Sequence, residues 1–286
     1  MERPDKKAPP GRLPTSGDLR LLYAASLIVA LLMAVASVGG LLYPARLYPT
    51  EELRQSFVAN DVVNLAIGLP ILLGSMWLAR RGKLIGLLLW PGALFYVPYN
   101  YLVYTFALPL NVGFTLALVL LALSTYTTIG LVASIDGAEV QRRLRGAVRE
   151  RLAGGILAGL GIVFTLLAIG TVISHLISNT PIPGPELALQ VADFIVSPAW
   201  VIGGILLWQH RPLGYVGGAG LLFQASMLFI GLIVFLLLQP LLTDAPFAPV
   251  DVVFTTILGL ICFVPFGLFL RGLLSADRTE DGEKRE

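Results

Sequence analysis

A few carboxylate and amide side chains stand inside otherwise charge-poor, apolar stretches, and these are where chemistry could occur. Asp193, in "ELALQVADFIVSPAW", lies seven residues past Glu186, which is roughly 10 Å along a helix at 1.5 Å per residue. Asn64 occupies a similar place in "NDVVNLAIGLP". Gln224 falls in the middle of a long apolar run, where no helix end needs it. Asn100, in "YVPYNYLVY", shares a helix face with Tyr96 and Tyr99 by the i, i+3, i+4 rule. Asn111 in "PLNVGFT" and Asp251 in "PVDVVFT" each follow a proline by two residues. Carboxylates and amides within a lipid-crossing helix are costly, so they face an interior or a water-filled path. There they would bind a polar solute or an ion.

Each has a structural alternative. Asp193 and Asn64 could sit early in their helices at headgroup level, where the helix dipole favours them. Asp61, Asn111 and Asp251 read equally well as N-caps, and Gln224 as a helix–helix hydrogen bond. Tyr101 and Tyr104 suit an interfacial aromatic belt.

Enzyme signatures are missing. The chain has no H-E-x-x-H, no Walker A loop and no G-x-S-x-G. Its single cysteine, Cys262, rules out a C-x-x-C pair and an intrachain disulfide. His175 and His210 close successive spans, which puts them near opposite faces of the membrane, and they cannot share a metal. The expectation is a non-enzyme without a cofactor.

The elements that must carry these residues follow from composition. The 286 residues are 56% hydrophobic and 13% charged, with a mean hydropathy of +0.80. So little charge cannot cover a water-facing globule, and the lipid bilayer is the expected surrounding. A net charge of +2 offers nothing to nucleic acid. Charge-poor stretches run over about 21–43, 60–79, 84–106, 111–134, 153–177, 187–208, 213–238 and 250–270, each of about the 20 residues that a helix needs to cross a membrane. Backbone groups in lipid must be satisfied within their own segment, and nothing alternates as a barrel strand would. The expected fold is therefore all-α, an integral membrane helical bundle of eight transmembrane helices. The first run, Leu21 to Ala45, is too long for a signal-peptide core and reads as a retained span.

Of the 20 Lys and Arg residues, only Arg46 and Arg54 fall in one alternate set of connections. By the positive-inside rule both termini are cytoplasmic, in a multi-pass cell-membrane protein.

"PLNVGFT" (109–115) opens the fourth span and "PVDVVFT" (249–255) the eighth. "LIGLLLWPGALF" (84–95) and "LGYVGGAGLLF" (213–223) open the third and seventh. "VVNLAIGLPILL" (62–73) and "VADFIVSPAWVI" (191–202) pair the second with the sixth, matching Asn64 to Asp193 and setting Pro70 within one position of Pro198. The chain thus divides into a tail (1–18), a four-helix repeat (19–135), a basic linker (136–149), a second repeat (150–272) and a charged tail (273–286). Four spans are an even number, so the repeats run parallel. Around the linker Val140, Leu144, Val148 and Leu152 recur every four residues among arginines. Residues 139–152 could lie on an anionic inner leaflet or form a solvated loop.

The run "NDVVNLAIGLPILLGSMWLARRGKLIGLLLWPGALFYVPYNYLVYTF", with its Asp/Asn-bearing span, its W-x-A-R-R-G turn and its Tyr-rich third span, resembles a set of uncharacterised bacterial polytopic membrane proteins over residues 57–120. The resemblance implies a multi-pass membrane protein and brings no activity. The reading that best fits the polar set is a small-solute or ion permease with a site between the repeats. The competing reading is a non-transporting sensor, assembly partner or lipid-binding scaffold, and an intramembrane enzyme ranks below both.

Overall fold

A computed structural model describes residues 13–283, and among them every named element is helical. The helices are α1 (Arg20–Leu42), the short α2 (Pro44–Leu47), α3 (Glu51–Val63), α4 (Leu69–Arg80), α5 (Leu84–Ala107), α6 (Val112–Ala133), α7 (Gly137–Leu144), α8 (Glu150–Ser178), α9 (Gly184–Trp208), α10 (Pro212–Leu242) and α11 (Pro249–Glu283). A π-helical turn, Asn64–Gly68, joins α3 to α4 into one continuous rod.

Seven helices are long and apolar enough to cross a membrane: α1, the α3–α4 rod, α6, α8, α9, α10 and α11. Their outer faces are strongly apolar, with Leu27, Leu31 and Val35 exposed on α1 and Val253, Ile257, Leu260 and Val264 exposed on α11. Such faces suit hydrocarbon and not water.

Helix α5 is the exception, and its place explains why. It has 24 residues, but its prolines, tyrosines, Trp90 and Asn100 lower its hydropathy. It packs against α4, α6, α9 and α10, and most of its residues are buried. A helix wrapped by other helices meets protein and not lipid, so polar groups with partners are tolerated on it.

The second apolar segment starts earlier than its hydropathy predicts. Thr50 accepts a hydrogen bond from the Leu53 N–H, and Glu51 and Glu52 complement the dipole in the first turn. The helix therefore begins at Glu51 and not near residue 60. Asp61 and Asn64 lie well inside it, and neither is a cap. Asp136 caps α7 through the Ala138 and Glu139 N–H groups.

One end of the bundle gathers the segment before α1, the linker and the last turns of α11. The Ser16 N–H donates to Ser134 O at 2.9 Å and the Asp136 N–H to Pro14 O at 2.8 Å, and Gly272 lies against Ala147. Residues 1–12 of the expected N-terminal tail lie outside the described residues. The opposite end holds the connections 43–50, 108–111, 179–183 and 243–248. The linker's apolar face is already occupied, because Val140, Leu144 and Val148 are buried with Leu84, Leu207 and Tyr215. A contact with anionic lipid would rest on its arginines alone, and Arg142 and Arg143 are drawn to Glu139.

Two hairpin turns share one geometry. Gly82 and His210 both have positive φ, at 77° and 55°. In each turn the residue after them donates its N–H to a carbonyl five residues back, Lys83 to Leu78 and Arg211 to Leu206. Gly86 then lies against the backbone of Leu78 and Ala79, and Gly214 against that of Leu206 and Leu207. Where α5 crosses α10, Gly92 meets Gly220 backbone to backbone.

Candidate functional site

A cavity of about 630 Å³ lies between α3 and α5 on one side and α8, α9, α10 and α11 on the other. It runs from the end holding the 179–183 and 243–248 connections, where Glu186 and Asp251 line it, inward to Trp200 and Phe229. Its volume is in the range of small-molecule sites.

Asp193 is on its wall. The Tyr99 hydroxyl donates to Oδ1 at 2.8 Å, and no hydrogen bond from the described residues reaches Oδ2. The pairing joins α5 to α9 and fixes the carboxylate's orientation. Asn100 lines the cavity one residue on from Tyr99; its Nδ2 donates to Tyr96 O at 3.0 Å, and its Oδ1 accepts from Asn60 Nδ2 at 3.2 Å. Asp251 lines the rim from the first turn of α11, inside the helix and not at a cap.

Asn64 and Gln224 stand one layer behind the wall. Tyr96 lines the cavity and donates its hydroxyl to Asn64 Oδ1 at 3.0 Å. Trp200 lines it too and donates its indole N–H to Gln224 Oε1 at 2.7 Å. Both amides are fully buried, and Asn64 Nδ2 and Gln224 Nε2 have no partner. Gln224 thus makes the helix–helix bond that its mid-span position suggests, and through it holds a cavity side chain. Asn111 is elsewhere. It caps α6 by accepting from the Phe114 N–H at 3.0 Å, and its Nδ2 donates to Leu47 O. Of the six singled-out residues, Asp193 and Asn100 line the cavity, Asn64 and Gln224 stand behind its wall, Asp251 joins them at the rim, and Asn111 alone lies apart.

Beside this cavity is a group that sequence reasoning had put aside. Asp61 is fully buried and accepts the Tyr48 hydroxyl on Oδ2 at 2.6 Å and the Tyr104 hydroxyl on Oδ1 at 2.9 Å. No ion pair involves it among the described residues. Asn60 Nδ2 links the cluster to the cavity, because it also donates to the Tyr104 hydroxyl at 3.1 Å. Tyr101 and Tyr104 are interior residues and not a belt at the membrane surface, with 1% and 3% exposure. The spacing of Tyr101 and Tyr104 cannot distinguish the two, since both roles want an aromatic ring near a helix end.

No group of three His, Cys, Asp or Glu able to hold a metal ion occurs among the described residues. No family model, curated protein or solved structure matches the chain. The likeness over residues 57–120 therefore adds no function.

Proposed function

We propose that the chain is an eight-span permease for a small polar solute, built as two parallel four-helix repeats with its site between them. The observation that carries the reading is Asp193. It is a carboxylate within the bundle, oriented by Tyr99, with an oxygen left free toward a cavity that both halves line. A packing carboxylate has no use for an open cavity, whereas a solute site requires one.

Helix α5 supplies the eighth span, since 24 residues extend about 36 Å, enough to cross the hydrocarbon core. The repeat draws support from the hairpins. The same interval along the chain separates Gly82 from His210, Gly86 from Gly214, Pro70 from Pro198, and Gly92 from Gly220. A residue that touches its own counterpart lies on the axis relating two copies, and Gly92 against Gly220 is such a contact. Asn64 and Asp193 are one residue further apart than these pairs. The π-turn at Asn64–Gly68 accounts for that, because it holds one more residue in the second span than an α-helix would. Parallel halves with a site at their interface are a recurrent transporter design. Both termini would be cytoplasmic in a cell membrane, and the linker arginines would face anionic lipid.

Proteoliposomes test the proposal. Gradients of glucose, benzoate and tetraethylammonium sample neutral, anionic and cationic solutes. Uptake of at least one above protein-free liposomes, reduced about tenfold or more in Asp193→Asn, is the expected result. No uptake of any solute by folded protein would favour the sensor or scaffold reading.

A further inference from the structure

We infer that the cavity takes a small organic cation, a substituted ammonium ion. The inference rests on the proposed reading of the cavity as a solute site, and it specifies the class of solute.

Charge is the first argument. Three carboxylates line the cavity, Asp193, Glu186 and Asp251, and no lysine, arginine or histidine does. Glu186 has a base nearby, His175 Nε2 at 3.7 Å. Asp193 and Asp251 have no ion pair among the described residues. Asp193 is half-buried and accepts one phenol hydrogen bond. A carboxylate withdrawn from water without a counter-charge is unfavourable, and a bound cation supplies that charge. An anionic solute would add a fourth negative charge and be repelled.

The walls decide between a bare ion and an organic one. Tyr96, Tyr99, Phe164, Trp200 and Phe229 line the cavity with the carboxylates. Phe164 packs edge-on against Trp200, with centroids 5.6 Å apart, and against Phe229 at 5.9 Å. The Gln224 carbonyl fixes the Trp200 indole by its N–H, and the Asn64 carbonyl fixes the Tyr96 ring by its hydroxyl. The two buried amides thus serve the cavity indirectly, each by holding one aromatic side chain of its wall. Aromatic rings attract substituted ammonium ions by their quadrupole, most strongly where water is excluded. A metal cation instead requires several oxygen ligands converging at about 2.0–2.6 Å, and no group of three His, Cys, Asp or Glu able to hold one occurs among the described residues. A cavity of about 630 Å³ also far exceeds one desolvated ion.

Purified protein in detergent tests this without any transport step. Tetraethylammonium chloride, sodium benzoate and sodium chloride are compared at equal ionic strength, by melting temperature and by tryptophan fluorescence. Tetraethylammonium should raise the melting temperature saturably, as a ligand of the folded state does, and should change the Trp200 emission. The two sodium salts should do neither. Asp193→Asn should weaken tetraethylammonium binding about tenfold or more, as loss of a partly desolvated charge pair implies. Asp193→Glu, which keeps the charge, should stay within about threefold of wild type. The inference is overturned by preferential benzoate binding, by an equal effect of sodium chloride, by no saturable response to tetraethylammonium, or by an Asp193→Asn variant that binds as wild type does. Uptake of glucose or benzoate by proteoliposomes would leave the permease reading standing while this inference fell.

Discussion

Asp61 and Asp193 are both carboxylates inside the bundle, and their surroundings set them apart. Asp61 has each oxygen occupied by a phenol and does not line the cavity. Gly40 of α1 supplies the closest approach, where an added Cβ would fall 2.5 Å from the Tyr48 hydroxyl and closer still to Asp61 Oδ2. Gly40→Ala should therefore lower stability by about 1–3 kcal/mol, the usual cost of overpacking. Its neighbour is the control, because a Cβ at Gly39 would meet only Leu47 at 3.6 Å. Melting in detergent should separate the two variants, and equal melting temperatures would mean that the Asp61 cluster is looser than described. At this scale the sequence was legible for Asp193 and Asn100, since a polar residue in an apolar helix is conspicuous wherever the helix lies. It was not legible for Asp61. The polar residues ahead of it, Glu51, Glu52, Arg54 and Gln55, make the first turns look like loop, so the carboxylate reads as a cap. Thr50 followed by two glutamates was the available signal of the true start.

Among elements, the crossing of α5 over α10 is set by a close glycine contact. The contact is unequal on its two sides. A Cβ on Gly92 would run into the Gly220 carbonyl, whereas a Cβ on Gly220 would meet its nearest atom, Gly92 N, at 3.2 Å. Gly92→Ala should accordingly cost distinctly more than Gly220→Ala, by about 1 kcal/mol or more, in a comparison of melting temperatures. Equal loss, or greater loss at Gly220, would contradict the packing at this crossing. The glycines of α10 show what pattern alone withholds. Gly214, Gly217, Gly218 and Gly220 look alike in sequence, but Gly217 faces open space while the other three meet neighbouring helices. The π-turn is equally hidden, since nothing in "NLAIG" distinguishes it from an α-helical run. Asn111 and Asp251 show the reverse limit. Matched phrases place them at equivalent helix starts, but one caps α6 and the other lines the cavity rim.

For the whole molecule, the number and order of the long helices were readable from hydropathy, because lipid imposes one requirement on every outward face. Helix α5 was found by its length and its freedom from charge, although its tyrosines, prolines and Asn100 lower its hydropathy. The cavity was not readable. It is made where six helices meet, and no local pattern encodes that meeting. The proposed role in passage makes a demand that a one-sided sensor or a packed scaffold does not meet: the deep end must become reachable from both sides of the membrane. Leu228 lines the cavity near the middle of α10, and Cys262, the chain's one cysteine, is buried. The decisive measurement is modification of Leu228→Cys in the Cys262→Ala background by a membrane-impermeant thiol reagent, in right-side-out and in inside-out vesicles. The account predicts modification in both orientations, slowed by tetraethylammonium in each. Modification from one side alone, with the other orientation reacting only after denaturation, would contradict it.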